Sequence, residues 1–436
     1  MNMTDMIGPK TGTERRAAPR LKVLVSAYAC NPLGSADLHP GEDLTGWRLV
    51  HQIARFYDAH VLTHTYNKRG IPPADLTSSS ITFHFLSLPR SFGWLYKIAF
   101  GQRIYYYLWQ VRAWREALKL QRRFGFDLAH QVTFGNDWIS SYLGAFLRVP
   151  FVIGPIGGGQ RTPRALLREY TLGGRLCEWG REAAQWVGRH DPVRRRCFRK
   201  AKAILVCNKE TKNKVPKAYR EKVIFFPVNG VSREDVSTGS GADHRRRPFR
   251  VFMAGRFHRL KGFALAIRGF DQFVRRNPEA EFLIVGSGTE GRHLRRLIGE
   301  LGVGEKVRVA DWMPRADLLM AMRTSDVMLF PSFRDGGGAV VVEAMASGKP
   351  VIGLDSGGPG FHIQPEWGFR ISPKNPAYVA HEIAAALETL YRDRERTLRM
   401  GEAARRRAED FYLWDRHGDR LRDIYEAVRS GGRQGQ

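Results

Sequence analysis

Cysteines are few, acids are outnumbered, and long apolar runs are missing. The chain has 436 residues but only four cysteines, Cys30, Cys177, Cys197 and Cys207. None stands in a CxxC pair or beside a histidine cluster, which argues against a disulfide scaffold or a zinc ribbon and leaves buried thiols. No window approaches the roughly 18 uninterrupted apolar residues of a membrane-spanning helix. The first twenty residues, MNMTDMIGPKTGTERRAAPR, are polar and lack a hydrophobic signal core, so a disordered tail on a cytoplasmic protein is expected. Acids number 43 against 70 lysines and arginines, a formal net charge of +27. The excess is patchy, concentrated at residues 161–175, 189–202, 209–222, 245–250 and 292–296. Such a field attracts a polyanion, either nucleic acid or an anionic membrane. No zinc knuckle, RNP-like strand or basic zipper accompanies it, so nucleic acid is not an expected partner. An anionic membrane surface, met peripherally at the inner face, is the more economical one; an arginine-rich background of ordinary solvated faces is the alternative.

What is present suits large α/β cores, with 43% hydrophobic and 11% aromatic residues over a length that allows two or three domains. Leu21–Tyr28 reads as a buried strand, Gly46–Tyr57 as a helix and His60–His64 as a strand, the alternation of a doubly wound domain. Ile81–Leu88, Phe126–Gln131, Pro150–Gly154, Ala203–Cys207 and Lys222–Phe226 supply further strands. The aromatic stretch Trp94–Phe124 is expected as one long helix with Ile98, Ile104, Tyr105, Leu108 and Trp109 in its core stripe, a partly greasy surface that docks on lipid being the alternative, and Trp138–Leu147 as another helix. Residues 232–247 are polar, glycine-bearing and aperiodic, and read as a linker between a first domain over 21–231 and a second over 248–410. The second half repeats the alternation, with strands at Phe249–Ala254, Ala280–Val285, Val307–Ala310, Val327–Phe330 and Pro350–Leu354. Helices fall at Gly262–Arg276, Gly291–Leu301 and Ala316–Arg323, and two more, Tyr378–Gly401 and Glu402–Val428, close the chain.

The most informative segment is Met328–Gly358. A strand ends at Pro331, a loop carries Asp335, Gly336, Gly337 and Gly338, and a helix starts near Ala339 with Glu343 one turn inside. Glycines at a helix start leave backbone N–H groups bare, and these converge with the positive end of the helix dipole into an anion site. Two carboxylates, Asp335 and Glu343, frame it. Upstream, Arg256 and Lys261 follow the strand Phe249–Ala254, and Gly286 and Gly288 follow the next one.

This pattern resembles the donor-binding signature of retaining glycosyltransferases of the large family four, P-S-x-x-E-G-x-G-x-x-x-x-E-A-M-A-x-G-x-P-V-I. The chain matches at Pro331, Ser332, Gly336, Gly338, Glu343, Ala344, Met345, Ala346, Gly348, Pro350, Val351 and Ile352. One departure is Asp335 where the family has glutamate, which keeps the charge and shortens the reach by one methylene. The resemblance implies a GT-B fold, two Rossmann-like doubly wound domains facing a central cleft, with the stretch 411–436 crossing back to the first domain as a last helix. It implies transfer of a sugar from a nucleotide-sugar donor, with retention, to a glycan or lipid-linked acceptor of a cell-surface polysaccharide.

The resemblance also assigns roles. Arg256 and Lys261 would bind the donor phosphates in place of a metal, so neither metal nor other cofactor is expected and the nucleotide-sugar is a co-substrate. Glu343 would accept from the ribose hydroxyls, Asp335 would contact the sugar, and Gly286 and Gly288 would turn over base and ribose, with Gly336, Gly337, Gly338 and Ala339 at the phosphates. For Asp335, capping of the following helix is the competing structural role. In the first domain, Gly41, Glu42 and Gly46 resemble a cleft loop of a subgroup, and Gly157 and Gly158 a second cleft wall. His130 stands near the position of an active-site histidine that touches the sugar and is the other catalytic candidate; a purely structural role competes with it. Two rival activities remain, a nucleotide-sugar epimerase of the same fold and a non-catalytic basic scaffold.

Overall fold

The computed structural model describes residues 20–33, 40–98, 101–237 and 247–431. The expected N-terminal tail, and most of the expected linker, lie outside the described residues. Two parallel sheets organise the chain. The first holds β1 (Lys22–Ser26), β2 (Asp58–His64), β3 (Ile81–Leu86), β4 (Leu128–Gln131), β5 (Phe151–Ile156), β6 (Ala203–Val206) and β7 (Val223–Phe225) in the order β3-β2-β1-β4-β5-β6-β7. The second holds β8 (Arg250–Ala254), β9 (Glu281–Val285), β10 (Val307–Ala310), β11 (Val327–Phe330), β12 (Val351–Leu354) and β13 (Gly368–Ile371) in the order β10-β9-β8-β11-β12-β13. Strands such as β6 and β11 are buried at every position, as parallel strands covered by helices on both faces must be. Both orders reverse direction once, between β1 and β4 and between β8 and β11, and ligands of open α/β sheets bind outside the strand ends at such a point.

The helices of the first domain are α1 (Pro40–Ala54), α2 (Pro73–Leu76), α3 (Gly101–Phe124), α4 (Tyr142–Phe146), α5 (Leu172–Arg189), α6 (Pro192–Lys200) and α7 (Lys209–Lys214). Those that follow are α8 (Phe263–Val274), α9 (Gly291–Leu301), α10 (Arg315–Arg323), α11 (Ala339–Ala346), α12 (Gly357–His362), α13 (Pro376–Arg392), α14 (Arg394–Phe411) and α15 (Trp414–Ser430). Several differ from expectation. The helix expected from Gly46 begins at Pro40, because Glu42 and Asp43 supply an acidic first turn. The single helix expected over Trp94–Phe124 is a 3₁₀ stretch, Arg90–Lys97, followed by α3 from Gly101. The helix expected over Trp138–Leu147 shrinks to α4, started by Ser141, whose hydroxyl takes the Gly144 N–H at 3.2 Å. The two expected C-terminal helices are three, split where the Asp393 carboxylate caps α14 by taking the Arg396 N–H.

The two domains are stitched at several points. A 3₁₀ turn of the first domain, Arg164–Glu169, places Leu166, fully buried, and Tyr170 in the core of the second domain. Glu169 accepts from Arg268 of α8 at 3.0 Å. The chain crosses at Val231 and recrosses at Leu413, which pair as a parallel bridge. Trp414, Leu421, Ile424 and Tyr425 of α15 share a buried cluster with Val50, Ile53 and Val25. Leu421→Ala removes about three methylene-equivalents from that junction and should cost about 2–5 kcal/mol. A differential scan should show the first domain melting several degrees earlier, and an unchanged profile would mean that α15 is not part of this core.

Candidate functional site

The loops after β8 and β11 meet at the switch point of the second sheet. Their approach explains the glycines. A Cβ on Gly262 would stand 2.1 Å from the Pro331 carbonyl oxygen, and the backbone there is left-handed (φ 75°), so the lysine turn can press against the β11 loop only with glycine at that position. The Phe333 N–H and the Ser332 hydroxyl both donate to the Leu260 carbonyl, at 2.7 and 3.1 Å, and clip the two loops together. Gly286 (φ 153°) does the same for the neighbouring turn, since its Cβ would fall 1.9 Å from the Gly255 oxygen. Gly288 packs on the Phe257 backbone, so this pair is fixed by loop-on-loop packing.

Charges gather at that junction. Lys261 Nζ lies 2.5 Å from Asp335 Oδ2, while Asp335 Oδ1 accepts the Gly337 and Gly338 N–H groups at 3.1 and 2.7 Å. The carboxylate therefore fills the anion site made by the loop and the start of α11 at Ala339. Burial pushes the Asp335 carboxyl up, but Lys261 and the two N–H donors outweigh it and hold the group below its ordinary value. Eight positions on, Glu343 accepts from Arg315 at 2.7 Å, and Arg315 also reaches Asp235 at 2.9 Å. Arg256 is exposed, and its guanidinium makes no hydrogen bond or ion pair to a described residue. Among the described residues no group of three His, Cys, Asp or Glu side chains is placed to hold a metal ion.

The opposite wall comes from the first domain. Asn208 donates to the Gly336 carbonyl at 3.1 Å, Glu210 accepts the Gly357 N–H at 2.7 Å, and the Gln160 amide lies beside Gly336. Gly157 pairs with Asn136, and Gly158 (φ 92°) gives its N–H to Gln160. Glu42 bonds the N–H of Phe134, a non-glycine residue at φ 53°. Desolvation raises the Glu42 carboxyl, and the Asp43 charge adds to the rise. Gly41, Glu42 and Gly46 thus lie on the first turns of α1, not in a loop. Gly46 is there because its Cβ would meet the Ala29 carbonyl at 2.0 Å.

His130 needs correction. It is fully buried, with Nε2 2.6 Å from the Gly154 carbonyl and Nδ1 2.6 Å from the Tyr425 hydroxyl of α15. Burial lowers it to about 3, so it stays neutral and pins the last helix; it offers no nitrogen to the cleft. A different histidine shapes the site. His362 of α12 sits 2.8 Å from the Gly337 carbonyl and 2.6 Å from the Tyr412 hydroxyl, bracing the glycine loop from behind. Nothing in the run GGPGFHIQ marks that contact, which joins residues 25 positions apart. Arg315 and Arg334, the latter 3.1 Å from Glu178 of α5, were likewise invisible among so many arginines.

Comparison with known proteins agrees with this geometry. Residues 242–407 match the family of glycosyl transferases group 1. A D-inositol 3-phosphate glycosyltransferase of Corynebacterium kroppenstedtii is 33% identical over 190 residues, covering 42% of this chain and 41% of that protein. One from Nocardia farcinica is 32% identical over 41% of this chain and 40% of its own length. The matched stretch thus spans about two fifths of these curated relatives. Among solved structures, sucrose-phosphate synthase of Thermosynechococcus elongatus superposes with a TM-score of 0.63 at 18% identity, covering 95% of this chain and all of that one. HepE of Anabaena in complex with UDP gives 0.60 at 17% identity over 93% of this chain and all of its own. The fold is GT-B.

His362 yields a pH dependence. Burial lowers it to about 4 from an ordinary 6.5, so the unfolded chain binds the proton first as pH falls. Its stabilising contribution is complete above pH 6.5 and is lost as pH falls toward 4. The thermal midpoint should drop across that window, and His362→Gln should lower stability at pH 7 by about 1–3 kcal/mol while flattening the acid decline. A decline of unchanged steepness in the variant would show that His362 is not one of the groups responsible.

Proposed function

We propose that this chain, whose residues 242–407 match the glycosyl transferases group 1 family, moves a sugar from a nucleotide-sugar donor to a glycan or lipid-linked acceptor, with retention and in the building of a cell-surface polysaccharide. The observation that carries the reading is the meeting of Lys261, Asp335 and the Gly337 and Gly338 N–H groups at one switch point, where a carboxylate occupies the anion site, with Arg256 exposed five positions before the lysine. In this reading the donor diphosphate takes the place of the Asp335 carboxylate against Lys261 and the loop. Arg256 then folds over the phosphates, and Glu343 exchanges Arg315 for the ribose hydroxyls. Asp335, freed, faces the sugar. As the glycosidic bond breaks, charge grows on the leaving diphosphate, and two fixed cations with a helix N-terminus lower that barrier without reorganising. UDP is the nucleotide we place first, since it occupies the related fold of HepE. The acceptor would be met at the cytoplasmic face of a membrane by a peripheral protein; among the described residues no helix is long and apolar enough to cross one.

Lys261→Ala and Arg256→Ala should each lower turnover by about 10²–10³-fold with the fold intact, measured as UDP release coupled to sugar incorporation into glycan. Full activity in both would overturn the phosphate role, and an epimerised donor with no glycan product would replace transfer by epimerisation. Asp335→Glu should keep activity, because it restores the side chain of the family pattern.

A further inference from the structure

Helix α5 is built inside out. Its exposed positions carry Leu172, Leu176, Trp179, Trp186 and Val187, each more than 60% accessible, and the residues between them on that face are glycine, alanine and Cys177. Every charged side chain of the helix is instead drawn toward the protein. Arg175 donates to the Leu167 carbonyl, Glu178 accepts from Thr162 and Arg181 and pairs with Arg334, Glu182 pairs with Arg161, and Arg189 pairs with Asp137. An 18-residue helix is about 27 Å long, and its charged side chains are all at most partly accessible, Glu182 at 34% in its pair with Arg161 and Arg189 at 13% against Asp137. The C-terminal turn opens into an apolar groove of about 660 Å³ lined by Ile104, Tyr107, Leu108, Trp138, Trp186 and Val187. The 3₁₀ stretch leading to α3 adds exposed Phe92, Trp94 and Ile98. A patch of this extent requires a cover.

We infer that this face of α5, continued by the start of α3, is the surface with which the protein sits on an anionic membrane. Tryptophans prefer the headgroup level, and an apolar helix face sinks there when its rim is cationic. Cations accompany it: Arg195, Arg196 and Arg199 are exposed on α6, the next helix in the chain, and Arg90 and Lys97 flank the aromatic 3₁₀ stretch. A second copy is disfavoured because a twofold contact would bring two arginine-rich rims of the same sign together. The inner face of α5 touches Arg334, next to Asp335, so the seated helix holds the donor loop about one helix diameter, 10–12 Å, from the lipid surface. The inference rests on the reading of a lipid-borne acceptor, and names the face that meets it.

The test is flotation of the full chain with phosphatidylcholine vesicles, with and without phosphatidylglycerol. Wild type should bind the anionic vesicles, and the double variant Trp179→Gln, Trp186→Gln should bind at least about tenfold more weakly. Trp312→Gln, on the second domain and 77% exposed, should bind as wild type. All three should keep the same thermal shift with UDP. Undiminished binding by the double variant overturns the assignment, as does a wild-type dimer that the double variant dissolves. Loss of the UDP shift in every protein, with vesicle binding intact, would sink the donor reading and leave this surface standing.

Discussion

A carboxylate with 16% of its side chain accessible must be neutralised where it stands, and Asp335 is neutralised from both sides. Lys261 supplies the cation, and the glycine loop supplies two N–H donors. Each partner in turn needs a loop to be held in place. Gly262 lets the lysine turn press on Pro331, His362 braces the Gly337 carbonyl, and Asn208 crosses from the first domain to Gly336. The donor side of the cleft is thus a set of loops packed backbone to backbone, in which an anion is the central piece.

That arrangement ties the cleft to the rest of the molecule. Arg334, one residue before Asp335, is gripped by Glu178 of α5, while Leu166 and Tyr170 just upstream of α5 are sunk in the core of the second domain. The segment 160–189 therefore lies across both domains, polar toward the cleft and apolar toward the outside. Helix α15 packs on the first domain and is held there by Tyr425 on His130. Bracing the glycine loop and holding the last helix use buried histidines, His362 and His130, whose protonation burial disfavours.

Much of the second domain was legible in the sequence. Gly291–Leu301, Val307–Ala310 and Val327–Phe330 stand where the apolar runs place them, because glycine and proline punctuate short buried strands. β13 was not legible, since GFRI is four residues long with an arginine in it. Helices α5 and α6 were hidden for a physical reason: their stretch reads as clustered charge, and the apolar stripe of α5 points away from the core that periodicity is used to find. The aromatic stretch divided, with Tyr105 and Trp109 buried and Ile98 and Ile104 outside. Lys261, Asp335, Gly337 and Gly338 meet at one point, a juxtaposition that the spacing along the two strand-end loops makes visible in the sequence. His130 was misjudged, because its chain position gives no sign that α15 seals it from the cleft. Arg315, His362 and Glu210 act across 28, 25 and 147 positions, and no local pattern carries such contacts.

The most direct measurement is a crystal structure of the protein with UDP. The account predicts the β-phosphate within hydrogen-bond distance of Lys261 Nζ and of the Gly337 and Gly338 N–H groups, with the Asp335 carboxylate turned away and Glu343 moved from Arg315 to the ribose. A diphosphate bound elsewhere, with the Lys261–Asp335 pair still closed, would contradict it.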